Sequence, residues 1–226
     1  MKKIFAFLCL AACAASTYAA SSPADLAERL EKSRVIIDQL SQTPDKGVPD
    51  SIIKKAVCVA VVPSLKKAAF GVGAQYGQGV VTCRTGHGWS GPVFIRMAGG
   101  SFGFQIGAEG TDLVLVAVND RGMQDLLKSK FKIGGDAAAA AGPVGRNAQA
   151  TTSLNLSAEL LTYSRSKGLF AGIDLDGTSV SQNQDDTDVI YGGNHSYRQI
   201  LAGEVPVPTV AQPFVRTVAR YFHETQ

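Results

Sequence analysis

The sequence predicts an α+β fold: a curved, mainly antiparallel β-sheet, shaped as a sandwich or partial barrel, with amphipathic helices at its N- and C-terminal ends. Three observations predict it. A helical period opens the region after the first 20 residues and another closes the chain. Between them, from Val57 onward, β-branched runs are punctuated by Gly, Pro and Asp. Strand and helix patterns never alternate in the β-α-β order that a doubly wound parallel sheet requires.

The first 20 residues stand apart from the fold. "MKK" is a short positive segment, "IFAFLCLAACAA" an apolar run and "STYAA" a small-residue stretch suited to cleavage, which is the order of a secretory leader. The apolar run is too short to span a bilayer as a helix, which takes ~20 apolar residues. The expectation is a cleaved leader over residues 1–20, with cleavage after Ala19 or Ala20, and one domain over 21–226. "LAAC", ending at Cys13, also resembles a bacterial lipobox, so acylation of Cys13 is the alternative. Either route exports the protein, to the periplasm or to an outer-membrane anchor. Lys2 and Lys3 leave with the leader, and 20 basic residues then face 19 acidic ones. That near balance gives no support to a nucleic-acid partner.

The elements follow in order. In "SSPADLAERLEKSRVIIDQLSQ", Ser22 can cap, Pro23 suits the first helical position and Asp25 favours the positive end of the helix dipole. Leu26, Leu30, Ser33, Ile37 and Leu40 follow at spacings of four and three, one face of a helix. "TPDKGVP" breaks it, and Asp50 is expected to cap a short helix over "SIIKKA". "VCVAVV" reads as a strand ending at Pro63. "AAFGVGAQYGQGVVTCR" reads as two strands joined by a hairpin turn at Tyr76 to Gly79. "PVFIRMA", "SFGFQIGA" and "DLVLVAVN" read as three further strands. "DRGMQDLLKS" suggests a short helix, while "GGDAAAAAGPVGR" has no clear period. "SAELLTYSRS" and "GLFAGIDLDG" suggest a hairpin around Lys167 and Gly168. "QDDTDVIYG" and "SYRQILAG" are short helical pieces, "VPVPTVAQP" is a stiff connector, and "PFVRTVARYFHE" is a closing amphipathic helix.

Cys9 and Cys13 lie in the leader, which leaves Cys58 and Cys83 as a single pair in an oxidising compartment. A disulfide between them is expected.

"GGSFGFQIGAEGTDLVLVAVND", from Gly99 to Asp120, has the glycine density of a phosphate-binding loop. Such a loop needs a helix after the glycines, and here a strand follows. At alternate positions, Gly99, Ser101, Gly103, Gln105 and Gly107 share one nearly bare strand face, opposite an apolar one. Glycines inside strands mark bends, bulges or close approach by another group.

Four blocks, "VAVVPSLKKAAFGVGAQYGQGVV", "GGSFGFQIGAEGTDLVLVAVND", "KIGGDAAAAAGPVGR" and "SRSKGLFAGIDLDG", resemble the SYLF domain family, also called the Ysc84-like actin-binding domain, in the family's order and over most of residues 51 to 180. The resemblance implies phospholipid binding and no enzymatic chemistry. Eukaryotic members join the domain to SH3 or FYVE modules and bind actin. Neither module occurs in this sequence, and the leader looks bacterial, so actin is not expected as a partner.

Catalytic patterns fail on inspection. S-x-x-K occurs four times, at Ser51–Lys54, Ser64–Lys67, Ser129–Lys132 and Ser164–Lys167, without the S-D-N or K-T-G that would give it meaning. His87, His195 and His223 are scattered without ligand spacing. "DLDG", Asp174 to Gly177, places its glycine wrongly for a calcium loop, and Asp185, Asp186 and Asp188 read as a solvated acidic segment. No catalytic residue, metal ligand or cofactor is assigned. The lysine clusters carry the functional expectation. Lys54 and Lys55, Lys66 and Lys67, and Lys128, Lys130 and Lys132, with Arg165 and Lys167, are candidates for an anionic phospholipid headgroup at a membrane surface. An amphipathic helix, with Phe214, Val218 and Phe222 on its apolar face, or an apolar groove would take acyl chains. A structural or protein-interaction module of the envelope without a lipid ligand is the alternative.

Overall fold

The computed structural model describes residues 21–42, 47–145, 158–166, 169–173 and 175–223. Cys13, Lys167, Gly168 and Asp174 lie outside the described residues. Helix α1 (Pro23–Ser41) begins as its sequence predicts. The Ser22 hydroxyl accepts from the Asp25 N–H, the Asp25 carboxylate accepts from the Ser22 N–H, and Pro23 occupies the first turn. Helix α2 (Asp50–Lys55) starts one residue earlier than expected. Pro49 is its N-cap, no side chain caps it, and Asp50 is its first helical residue.

Most of the sheet is one two-stranded ribbon. Strand β1 (Cys58–Thr85) pairs antiparallel with β3 (Val93–Ala117) from Cys58↔Ala117 to Val81↔Val93. The short β2 (Gly88–Trp89) sits in the turn between them. The expected hairpin at Tyr76 to Gly79 does not form: those residues continue β1. Likewise the three strands read between Val93 and Ala117 are one strand. Pro63 is no strand end but lies in a bulge, where the register shifts between Val62 and Leu65 and Ser64 takes a left-handed φ of 55°. A bulge accommodates the missing proline donor.

The ribbon bends until β1 meets itself. The Arg84 N–H donates to the Val57 carbonyl at 2.7 Å, and Cys58 and Cys83 form the expected disulfide, with Cα atoms 3.9 Å apart. Where the halves of β1 cross, glycine is required. A Cβ on Gly77 would stand 2.7 Å from Val62 Cγ1 and 2.9 Å from Leu65 Cδ1, and one on Gly79 would press onto the Val61 carbonyl oxygen. Gly103 lies on β3 opposite Gly71 of β1.

After α3 (Asp120–Leu126) come β4 (Lys130–Lys132), β5 (Ala139–Ala141), β6 (Leu160–Ser166), β7 (Leu169–Gly172) and β8 (Ser179–Gln182). β6 pairs with β3 and, as a hairpin, with β7, while β8 bridges β3 and β4. The β5–β6 pair is parallel, so the sheet is mixed and curls into a half-barrel. Helices α4 (Gln184–Tyr191), α5 (Tyr197–Leu201) and α6 (Gln212–Tyr221) close the chain.

Around Cys58–Val62 and Leu113–Ala117 both faces of the sheet are buried, which explains why "VCVAVV" is apolar at every position. Val59, Val61, Phe94, Val114 and Val116 face α1 and α6, and pack on Leu30, Ile37, Phe214 and Val218. Ala60, Val62, Leu113 and Leu115 face the other way, onto Leu126, Phe131, Val180 and Ile200. Phe214, Val218 and Phe222 are thus 1%, 0% and 0% exposed. The apolar face of the last helix is core, and is not free to receive acyl chains.

Candidate functional site

An open cleft of about 540 Å³ lies between α1 and β1, lined by Ser21, Asp25, Glu28, Arg29, Lys32, Pro63, Ser64, Lys66, Tyr76, Gly77 and Gln78. Asp25, Glu28, Arg29 and Lys32 recur at spacings of three, one and three, which places them on one face of α1. The opposite wall exists because β1 doubles back. Pro63 to Lys66 belong to its first half and Tyr76 to Gln78 to its second, and the bare Gly77 lets them meet. Tyr76 is 44% exposed, a large aromatic ring at the rim.

The charges of the cleft are unequally satisfied. Glu28 and Lys32 pair at 2.7 Å on the exposed surface. The Ser22 hydroxyl and then the Ser22 N–H hold the Asp25 carboxyl below its usual range. Arg29 turns inward. It donates to Asp186 Oδ2 at 2.7 Å and to Gln78 Oε1 at 2.6 Å, and its guanidinium lies 5.6 Å from the centre of the Phe94 ring. Arg29 is 11% exposed and Asp186 1%. Asp186 also accepts from Asn183 Nδ2 at 2.5 Å, from the Ser21 N–H at 3.1 Å and from the Ser21 hydroxyl at 3.2 Å. Lys66 is exposed and has no carboxylate partner among the described residues.

The lysine clusters occupy three places. Lys54 and Lys55 end α2, both exposed. Lys66 and Lys67 lie on β1 opposite Gly110 and Glu109, and Arg165 lies on β6 opposite Asp112. The pairing brings these three to one stretch of the sheet, but Arg165 is already held by Asp112 at 2.8 Å. Lys130 and Lys132 project from one side of β4, with Phe131 buried between them. Lys128 bonds to Asp125 at 2.5 Å, and that bond raises its pKa. Of all these, only Lys66 lines the cleft.

The sequence reading leaves Arg29 and Lys32 outside the lysine patch and Asp186 in a solvated acidic segment. The acidic run around Asp186 reads as solvated by composition, yet Asp186 is buried in an ion pair and only Asp185 is strongly exposed, at 68%. The available signal was the helix spacing of Asp25, Glu28, Arg29 and Lys32. Nothing in the sequence says that β1 lies against that face. Among the described residues, no group of three or more His, Cys, Asp or Glu side chains is placed to hold a metal.

Residues 98–221, more than half of the chain, match the sequence model of Ysc84, described as "Las17-binding protein actin regulator". The chain belongs to the Ysc84, or SYLF, family. The SH3 domain-containing YSC84-like protein 1 of Rattus norvegicus is 36% identical over 197 residues, covering 84% of this chain and 58% of that protein. Its Homo sapiens counterpart is 34% identical over 197 residues, 84% of this chain and 57% of that protein. Protein YSC84 of Saccharomyces cerevisiae is 33% identical over 187 residues, 80% of this chain and 40% of its own. The chain therefore spans less than two thirds of each of these curated relatives. The Ysc84 match includes β6, α4 and α6, and so includes Asp186 but not α1 or the cleft wall at Lys66. The family description names binding and regulation, not catalysis. It also names an actin regulator, so the comparisons give no support for setting actin aside.

Proposed function

We propose that this chain is a non-enzymatic phospholipid-binding protein of a bacterial cell envelope, and that the α1–β1 cleft receives an anionic headgroup. One observation carries the reading. Among the described residues Lys66 has no carboxylate partner, and it stands in an open cleft with Lys32, paired to Glu28, on the facing helix and the exposed Tyr76 ring at the rim. A lysine near an anionic membrane surface contributes ~1 kcal/mol. An aromatic ring at the same rim suits the boundary between headgroup and acyl chain. The lysines outside the cleft, at Lys54, Lys55, Lys67, Lys130 and Lys132, add weaker, screened attraction over ~8 Å at physiological salt. On this reading residues 1–20 act as a leader that sends the protein to the periplasm, or to the outer membrane if Cys13 is acylated.

Vesicle flotation tests the reading. Vesicles containing phosphatidylglycerol should carry the protein up, and phosphatidylcholine vesicles should not. Lys66→Gln with Lys32→Gln should remove most of the binding without lowering the melting temperature. Lys54→Gln with Lys55→Gln should change it little. Equal losses from the two pairs would mean diffuse attraction without a site. A second reading, an interaction module without a lipid ligand, draws on the family description. It is favoured if the wild type ignores both vesicle types, and co-sedimentation with filamentous actin is then the first partner assay to run.

A further inference from the structure

The carboxylate of Asp186 is buried, and Ser21, two residues before α1, is bonded to it. Oδ1 accepts from the Ser21 N–H at 3.1 Å, and Oδ2 accepts from Arg29, Asn183 and the Ser21 hydroxyl. Arg29 Nη2 donates to the same Ser21 hydroxyl at 3.3 Å. Only Ser22 separates this contact from Pro23, the first residue of α1. Ser21 is also the residue that follows the small-residue end of the leader, "STYAA".

We infer that the processed chain begins at Ser21 and that its new α-ammonium is received by Asp186, so that removal of the leader adds a second cation to the buried Asp186–Arg29 pair. The inference rests on the export reading of residues 1–20. The step is a hydrolysis by an endoprotease of the leader-peptidase class. Water adds its oxygen to the Ala20 carbonyl carbon, the Ala20–Ser21 C–N bond breaks, and the nitrogen leaves as an amine that is protonated at neutral pH. The N–H that now reaches Oδ1 then becomes an ammonium donor, and a bond between ionised partners is roughly twice as strong as a neutral one. Position discriminates among the cleavage sites. A cut after Ala19 displaces the amine by one residue, up to ~3.6 Å along the chain. Acylation at Cys13 leaves Ser21 an ordinary amide. Asp186 sits on α4, Arg29 on α1 and Gln78 on β1, so the captured terminus fastens three elements beside the cleft.

The test uses protein purified from the envelope fraction of expressing cells. Intact mass and N-terminal sequencing should give a chain starting at Ser21. A start at Ala20 or an acylated Cys13 overturns the inference and leaves the lipid reading standing, whereas a chain that keeps its leader overturns the export reading too. Selective acetylation of the terminal amine should lower the melting temperature by on the order of 4 °C. The same acetylation should do nothing to the Asp186→Asn protein. A silent acetylation in the wild type overturns the capture. If Asp186→Asn does not fold, titration of the wild-type amine decides. Asp186 and Arg29 face it directly, and Asp25, Glu28 and Lys66 line the adjoining cleft. A value above the ordinary α-amine range of ~7.7–8.0 supports capture, and one within or below that range overturns it.

Discussion

Gly77 and Gly79 are separated by one residue, so they share a face of β1, and that face is where the strand lies on its own first half. A side chain there has no room. We expect Gly79→Ala to destabilise the fold by ~1–3 kcal/mol, as overpacking does. Gly86→Ala is the matched control, since nothing lies within 4 Å of the Cβ it would gain. Thermal unfolding of the two variants separates a packing requirement from a general dislike of alanine. An equal melting temperature for both would show that the crossing can open. In sequence, Tyr76 to Gly79 splits two strand-like runs and so has the form of a hairpin turn; the close approach of Val61, Val62 and Leu65 leaves no local pattern.

At the scale of elements, α1 depends on its first turn. The ionised Asp25 accepts the Ser22 N–H, and its pKa is lowered. A carboxylate with a lowered folded-state pKa contributes stability above its ordinary value, and that contribution disappears as the pH falls through the lower one. The first turn of α1 should therefore loosen once the pH drops below 3.8, the ordinary value for Asp25. Faster amide exchange at Asp25 would record it. Ser22→Ala removes the cap at any pH and should cost ~0.5–2 kcal/mol. Strand β1 has a second tie, the disulfide between its ends, 25 residues apart in sequence. In the chain-entropy account such a bridge contributes ~3–4 kcal/mol. Unfolding in denaturant with and without reductant should show a loss of that order, and no loss would mean the crossing holds the ends unaided.

Across the whole molecule, the first and last helices meet on one face of the sheet. Helix α6 packs on α1, and beyond it Phe222 is fully buried with its ring 5.9 Å from that of Trp89. Arg84 fastens the same corner, donating to the carbonyl of Phe222 at 2.8 Å and to that of Ala56 at 3.1 Å. Trp89 is the sole tryptophan, so its fluorescence reports the docking of the C-terminal segment. Phe222→Ala should cost ~3–5 kcal/mol, the range for emptying a buried aromatic site. The tryptophan transition and the far-ultraviolet dichroism transition should shift together. A tryptophan transition that moves alone would mean that α6 melts separately from the sheet.

Local pattern decided most of the elements by itself. The cap at Ser22, the helical period through Leu40, the short helix after Asn119, the β6–β7 hairpin and the closing helix follow from near-neighbour chemistry, which acts over a few residues and so is written in order. The disulfide was legible too, because Cys58 and Cys83 are the two cysteines that lie outside the apolar N-terminal run. What the tertiary structure alone decided is how far apart in sequence the touching residues are. Each of the two long strands reads in sequence as several short ones, because bulges and glycines within a continuous strand look the same in one dimension as the ends of strands. The lysine clusters were visible as clusters, yet the fold leaves one of those lysines, Lys66, in the cleft and supplies its companions, Arg29 and Lys32, from a helix with a different apparent role. In sequence Asp186 reads as solvated because its neighbours are acidic. Its burial depends on Arg29, 157 residues away, and long-range charge pairing leaves no local period to read.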